Sequence, residues 1–394
     1  METEPRLGLA DKLKNIRGTR FGAFAPVLLA LVAIWVYFGI AEPAFLSPRN
    51  FYFLFMQSAV VGTLAVGITV VLLLGDIDLS VAATSGVCAA LMAVLVTNMG
   101  VPAPLACILA IVSGIVLSGF QGLLVAYVGI PSFVVTLAGL LGFQGLMLKI
   151  LGIHGAINMR DPFVRGITTT NLPPYGGWVL TAICILAFAF LTWRRHQLRK
   201  ANGLELDPVV HSIVQVAFFA ALTIGAVATL NSYRGVPLLV ILLVGLTALL
   251  AWVTTSTPFG RAVFAVGGNA ESARRVGISI QRIRVAAFCI VGLMAAIGGI
   301  VGASRYASVS FNAFAGGPLL LEAIGAAVIG GTSLFGGRGS VWNAILGALV
   351  IGSLGNGLDL SGASAADKLM FSGAILLLAV SIDAVTRSST GQSR

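Results

Sequence analysis

The sequence predicts an all-α fold: a polytopic membrane bundle of about twelve transmembrane helices with both termini in the cytoplasm. Three observations predict it. Of 394 residues, 58% are hydrophobic and 10% charged, too little polar surface to cover a soluble domain of this length. Apolar runs of 17 residues or more, enough to cross a bilayer core of roughly 30 Å, recur along the whole chain. Glycine reaches 48 residues, which suits helices that must pack closely where lipid supplies no hydrophobic drive between them. The runs are continuous rather than alternating, which excludes a β-barrel.

Residues 1–21 form a basic leader, and the first run, 22–41, precedes "EPAFLSPRN" without a clear small-residue cleavage site. It is read as a retained helix rather than a signal peptide. Further runs lie at 52–74, 81–98, 103–126 and 131–151. Proline and glycine punctuation at 171–177 marks an outer loop. The run 177–193 is joined to 209–230 by a basic linker, 194–208, reading "RRHQLRKANGLELD" from Arg194 to Asp207. A run at 236–253 leads into a long polar segment, 254–284. The last runs are 285–303, 319–335, 341–358 and 369–386, followed by a tail, 387–394. The whole of 22–386 is thus one transmembrane domain. No internal repeat is evident, although "LLLGDIDLSVAATSG" and "VIGGTSLFGGRGSVW" share a shape: apolar helix, polar Gly-containing break, Ser-Val, new helix.

Placing the N-terminus in the cytoplasm puts 17 of the 24 Lys and Arg residues on the inner side and 7 on the outer, as the positive-inside rule requires. The net charge of +10 is therefore topological, and no nucleic-acid partner is needed to explain it. Cys88, Cys107, Cys184 and Cys289 lie far apart inside apolar runs and read as small packing residues. His154, His196 and His211 are scattered, without metal-ligand spacing. No phosphate-binding Gly-x4-Gly-Lys-Ser/Thr loop occurs; "LSGF" and "LSGA" in or beside apolar runs are chance echoes of an ATPase signature. No nucleophile elbow is present. The chain reads as a non-enzyme that holds no cofactor of its own.

"FGRAVFAVGGNAESARRVGI", Phe259 to Ile278, is the polar anomaly. "GGNAESARRVGI" spells a short helix with both ends. Asn269 caps free N–H groups, and Glu271 sits in the first turn, where the dipole favours an acid. Arg274 and Arg275 occupy the last turn, and Gly277 supplies a left-handed stop. Such a helix is marginal alone, since isolated helices need about 12–15 residues. Ala270, Ala273 and Val276 make a narrow apolar face, which fits a protein groove better than a lipid surface.

Asp76 and Asp78 stand in a break between two runs at the inner boundary. Two compatible readings are open: Asp78 or Ser80 caps the next helix, or the pair forms a gate or path element at a broken helix. Glu322, at the start of the tenth run, reads equally as a first-turn acid or a mouth residue on the outer side. Asn356 and Asp359 close the eleventh run, where they could face a docking protein.

The segment 259–278 is similar to the cytoplasmic coupling segment of permease subunits of ABC importers for monosaccharides, the ribose, galactoside and xylose group. "E-S-A-x-x-x-G", from Glu271, Ser272 and Ala273 to Gly277, resembles the Glu-Ala-Ala…Gly loop that seats on the ATPase. "GDIDLSVAA" (75–83), "IPSFVVTLAGLLGFQG" (130–145) and "EAIGAAVIGGTSLFGGRGS" (322–340) match further blocks in order. The chain departs from the family pattern at Asp76, Ala82, Gln144 and Phe335. The two helices and basic linker over 177–230 resemble the longer xylose-type permeases. The resemblance implies an ATPase subunit seated on Gly268, Asn269, Glu271, Ser272, Ala273, Arg274, Arg275 and Gly277. It further implies an extracytoplasmic sugar-binding protein, a monosaccharide substrate and a permease homodimer in the membrane lipid. The rival expectation is a cation-coupled secondary transporter, which needs ionisable or unwound sites near the midplane.

Overall fold

A computed structural model describes residues 20–203, 209–315 and 317–388. Most of the basic leader, the end of the linker and most of the tail lie outside the described residues. Each of the twelve apolar runs falls on a helix. The first half comprises α1 (Arg20–Ala41), α2 (Pro48–Leu73), α3 (Val81–Thr97), α4 (Ala103–Leu123), α5 (Ser132–Leu151), α6 (Pro162–Thr169) and α7 (Pro174–Ala201). The second comprises α8 (Val209–Asn231), α9 (Leu238–Ser256), α10 (Pro258–Gly268), α11 (Ala270–Arg275), α12 (Ile280–Tyr306), α13 (Phe311–Phe314), α14 (Leu319–Ile329), α15 (Val341–Leu360) and α16 (Ala365–Ser388).

Among the described residues, nine helical segments are long and apolar enough to cross a membrane, against the expected twelve. The difference has local causes. The described apolar part of α1 and all of α3 are shorter, at Val27–Ala41 and Val81–Thr97. The third run missing from the count is the last, 369–386, in α16; the run 319–335 is counted within Phe311–Ile329 although α14 itself stops at Ile329, where Gly330 and Gly331 (φ +86°) turn the chain. In the other direction, the expected linker begins as helix, because α7 continues through the basic residues to Ala201.

The expected outer loop also holds more structure than its punctuation suggested. β1 (Ala156–Asn158) pairs antiparallel with β4 (Ser308–Ser310), and β2 (Asn171–Leu172) with β3 (Val236–Pro237). Between β1 and β2, Asp161 caps α6 by accepting hydrogen bonds from the N–H groups of Phe163 (2.9 Å) and Val164 (3.1 Å).

The core forms around α2 and α12. From Ser58 to Leu73 every α2 residue is buried, the mark of a helix surrounded on all sides by protein. It packs against α12, α15, α14 and α9, while α12 also lies along α3 and α4. Small residues make this possible. A Cβ on Gly114 of α4 would sit 2.5 Å from the Gly292 carbonyl oxygen of α12, and one on Gly292 would sit 2.1 Å from the Gly114 carbonyl. The two backbones touch there.

The α7–α8 pair is the exception to this packing. Only 11% of the α7 span and 6% of the α8 span are buried. Asn231 Nδ2 of α8 donates to the Pro174 carbonyl of α7, joining the two helices at one end, and at that end Gly177, Thr181 and Leu230 are buried.

The Gly114–Gly292 contact sets an expectation. Gly292→Val forces α4 and α12 apart and destabilises the bundle by about 3 kcal/mol or more, the upper range for overpacking. The fraction of monodisperse protein after a temperature ramp in detergent measures it; Cys289→Ala, one turn away, serves as the tolerated control.

Candidate functional site

The polar segment is built on α10 and α11. Thr257 starts α10 by accepting from the Gly260 N–H (3.3 Å), with Pro258 in the first turn. Asn269, in an extended conformation, ends α10 and caps α11: its Oδ1 accepts from the Ser272 N–H at 2.9 Å. At the other end the Gly277 N–H donates to the Arg274 carbonyl (3.0 Å) and the Ile278 N–H to the Ala273 carbonyl (3.1 Å), with Gly277 at φ +84°. This pair of bonds is the Schellman termination, and it requires the left-handed residue.

Ala273 is buried and Ala270 and Ile278 pack against the core. Val276 does not join that face; it is 76% exposed. Glu271 and Arg275 form an i,i+4 pair at 3.5 Å, both largely exposed, which is worth at most about 0.5 kcal/mol. Gly268, Asn269, Ser272 and Arg274 are also exposed. Exposed Arg261, Arg274, Arg275 and Arg282 against the single acid Glu271 make the surface basic. Packing therefore holds the inner face of α11, and the outer face is open and positively charged.

The segment rests on the two Gly-containing breaks whose shapes are alike in the sequence. A Cβ on Gly267 would lie 1.8 Å from the Leu73 carbonyl oxygen and 2.7 Å from the Gly337 nitrogen. Leu73 is the last residue of α2, and its carbonyl accepts from the Gly337 N–H at 2.9 Å. Gly75 (φ +79°) leaves only 3.2 Å between its Cβ position and the Phe335 carbonyl oxygen. The end of α10, the break after α2 and the break after α14 therefore form one junction of backbone against backbone.

Polar side chains fasten the first break to its neighbours. Asp76 Oδ2 lies 2.9 Å from Arg284 Nε near the start of α12, a charge contact short of an aligned hydrogen bond. The Ile77 N–H donates to Ser132 Oγ (3.2 Å), and Thr136 Oγ1 donates to the Ile77 carbonyl (3.1 Å), tying the break to α5. Asp78 is fully buried, and its Oδ1 accepts from both the N–H and the hydroxyl of Ser80, each at 2.7 Å. The Ser80 hydroxyl also lies 3.0 Å from Gln121 Oε1 of α4. Since its one proton serves Asp78, the amide is satisfied when its NH2 faces Ser80. Burial pushes both carboxyls above the ordinary carboxylate range; the Arg284 guanidinium opposes this at Asp76 and Ser80 opposes it at Asp78.

Asn356 and Glu322 lie at the opposite end of the bundle. Asn356 is buried and joins α15 to α2: Asn50 Nδ2 donates to its Oδ1 (2.7 Å), and its own Nδ2 faces Gln57 Oε1 at 3.4 Å. Glu322 sits half-buried in the first turn of α14, in the electrostatic field of Arg305 and Asp359. Asp359 pairs with Lys368. The structure therefore gathers the 268–277 group with Asp76, Asp78 and Ser80 at one end and leaves Glu322 and Asn356 at the other.

Arg284, Gln121, Ser132 and Thr136 complete the junction without having been singled out in the sequence. Arg284 and Gln121 did carry a signal: each is an isolated strongly polar residue at or inside the edge of an apolar run, where an unpaired group is expensive.

The ion pair sets a second expectation. Asp76→Ala leaves the half-buried Arg284 without its counter-charge and lowers stability by about 2 kcal/mol, less than for a fully buried pair. The exchanged pair, Asp76→Arg with Arg284→Asp, recovers at least half of the loss in thermal-unfolding midpoint.

Residues 50–380 match the family model described as branched-chain amino acid transport system / permease component. The chain is 38% identical over 364 residues to the xylose transport system permease protein XylH of Escherichia coli K12, covering 92% of this chain and 91% of that one. XylH of Haemophilus influenzae is 35% identical over 363 residues, covering 91% and 95%. The autoinducer 2 import system permease protein LsrC of Salmonella typhimurium is 31% identical over 324 residues, covering 82% and 75%. No solved structure matches the chain significantly. With the helical bundle and its spans, these matches establish a multi-pass membrane protein: the chain belongs to the family of transport-system permease components, alongside the xylose-type permeases with which it aligns over nearly its whole length.

Proposed function

We propose that this chain is the membrane permease subunit of a binding-protein-dependent ABC importer that carries xylose or a related monosaccharide across the cytoplasmic membrane. ATP is hydrolysed on separate ATPase subunits, and an extracytoplasmic sugar-binding protein delivers the substrate. Two permease copies form the path, and both termini are cytoplasmic. The near full-length alignment with xylose transport permeases supports the substrate class, and the α7–α8 pair agrees with the two helices that the resemblance to the longer xylose-type permeases implies over 177–230.

The observation that carries the reading is the capped helix α11, open on its basic outer face and welded by backbone contacts to two helix breaks. An ATPase gripping Asn269, Glu271, Ser272, Arg274 and Arg275 moves α10 with it. Because Gly267 lies against the Leu73 carbonyl and Gly337, that movement acts directly on the breaks after α2 and α14. Ligand-driven switching requires differential affinity for two packings of the bundle, and this junction gives the ATPase a lever on both. Asp76 and Asp78 are then anchors of the moving break, with Arg284, Ser80 and Gln121 as their fixed points.

Two experiments test the reading. Glu271→Ala with Arg274→Ala weakens association with the ATPase subunit at least tenfold, about 1.4 kcal/mol, while insertion and thermal stability are retained; an unchanged affinity in the purified double variant removes these residues from the contact. Collapsing the proton and sodium gradients in cells that keep their ATP leaves xylose uptake intact. Uptake that stops with the gradients supports the cation-coupled rival instead.

A further inference from the structure

The end of the bundle opposite the α10–α11 junction holds a charged group that the junction does not use. Arg305 and Tyr306 are the last two residues of α12, and Glu322 lies in the first turn of α14. Arg305 and Glu322 are half-buried and lie in each other's field, and Tyr306 lies in the field of both. The two charges nevertheless stay out of contact, whereas Asp76 meets Arg284 and Lys368 meets Asp359. Among the described residues the Glu322 carboxylate has no hydrogen-bond partner. Opposite charges held near one another without touching leave a gap between them.

Tyr306 borders this gap and is held in place. Its ring meets Phe314 edge to face, with the centroids 6.0 Å apart. Phe314 is itself fully buried against Gly302, where a Cβ would fall 2.7 Å from its ring. The Arg305 guanidinium carbon lies 5.0 Å from the Tyr306 ring centroid, and Tyr306 remains 38% exposed. The next residue, Ala307, is the one non-glycine among the described residues with a positive φ, at 51°, an unfavourable conformation for an alanine. The Met159 N–H holds it there by donating to the Ala307 carbonyl at 2.9 Å. Backbone strain of this kind persists where the surroundings over-determine it, and it clusters where chains contact ligands.

The chemistry of the gap selects its occupant. A carboxylate only accepts hydrogen bonds, and a guanidinium only donates them. A hydroxyl does both at once, accepting from Arg305 while it donates to Glu322. An anion would be repelled by Glu322 and a cation by Arg305. The neighbouring Asp359 is spent on Lys368, so the group presents no net charge. An aromatic ring beside a few convergent polar groups is the usual lining of a small-molecule site, and here it suits the apolar C–H face of a pyranose.

We propose that Arg305, Tyr306 and Glu322 form a reception site for a neutral monosaccharide. One sugar hydroxyl bridges Arg305 and Glu322, and the C–H face of the sugar lies against Tyr306. The site rests on the importer reading and adds to it the place where this chain first touches the sugar.

Saturation-transfer NMR of D-xylose with the purified full-length permease in detergent tests the site. Glu322→Gln and Arg305→Gln are each expected to raise the half-saturating xylose concentration about tenfold, the worth of one charge-assisted hydrogen bond. Tyr306→Leu abolishes the preferential transfer to the axial protons. No transfer, or a half-saturation unmoved by both charge substitutions, overturns the site. Xylose uptake by cells carrying the permease judges the importer reading separately: uptake with no transfer leaves that reading standing, and transfer with no uptake leaves only the site. Unchanged transfer with weakened association of a sugar-binding protein also overturns the site, in favour of a protein contact. Should the variants fail to fold, the unmodified protein decides. Xylonate, the acid of the same sugar, is expected to leave the xylose transfer intact, and displacement at equal concentration overturns a site for neutral sugar.

Discussion

The organising constraint is the Leu73 carbonyl. A helix that stops inside an apolar bundle leaves its last carbonyls without partners, and each unpaired group buried in such surroundings costs kilocalories. At the end of α2 the Gly337 N–H supplies one partner, donating to Leu73. Gly267 presses against the same oxygen so closely that a Cβ would fall 1.8 Å from it. One orphaned carbonyl therefore brings three chain segments together: the end of α2, the loop after α14 and the end of α10. Left-handed glycines at 75, 277, 336 and 337 supply the turns, and at Gly75, Gly336 and Gly337 backbone atoms of the neighbouring segments already stand within about 3 Å of the Cβ position. The remaining polar contacts of the junction follow from the same need. Asp76 with Arg284, Asp78 with Ser80, and Ile77 with Ser132 and Thr136 each answer a polar group that the break exposes.

A junction satisfied in this way is stiff, and stiffness is what the proposed coupling to an ATPase requires. The helix α11 has six residues and cannot store much independent stability. Its position is set by a cap, a Schellman stop and one buried alanine, Ala273. Displacing it without α10 would break the Asn269 cap; displacing α10 without the breaks would drive the Gly267 backbone into Leu73 or strip its contact. The three segments move together or not at all. Glu271 and Arg275, by contrast, spend their charge on each other in solvent, so the rigidity comes from backbone packing rather than from surface ion pairs.

Much of this was legible in the residues. The twelve apolar runs all fall on helices, because hydrophobic length is a strong signal. The caps of α11 were readable to the residue, since Asn269 and Gly277 are chemically specific choices for an extended cap and a left-handed stop. What sequence could not supply was distance. "GDIDLS" and "SLFGGRG" look alike, but nothing in either indicates that Gly75 meets Phe335 and Gly336. The same holds for Val276, which matches the spacing of an apolar face and yet stands exposed once the chain turns at Gly277. The α14 helix ended early because two glycines in succession outweigh the hydrophobicity around them. The basic linker proved helical through Ala201 because Arg, Gln, Leu and Lys are all good helix formers, a propensity that charge had masked.

The contrast between the core and the α7–α8 pair follows from the same packing rule. Around α2 and α12 the helices approach until Gly114 and Gly292 touch, leaving no volume for an added element. A pair of helices can join such a bundle only at its rim, and there it meets lipid rather than protein. It then needs few small residues on its outer flanks, and it carries none of the junction's polar groups. Its buried residues, Gly177, Thr181 and Leu230, gather at the end away from the breaks, so the proposed movement of α10, α2 and the loop after α14 does not have to pass through it. The bundle thus separates into a mechanically linked interior, fixed by backbone contacts, and a periphery whose placement is governed by the bilayer.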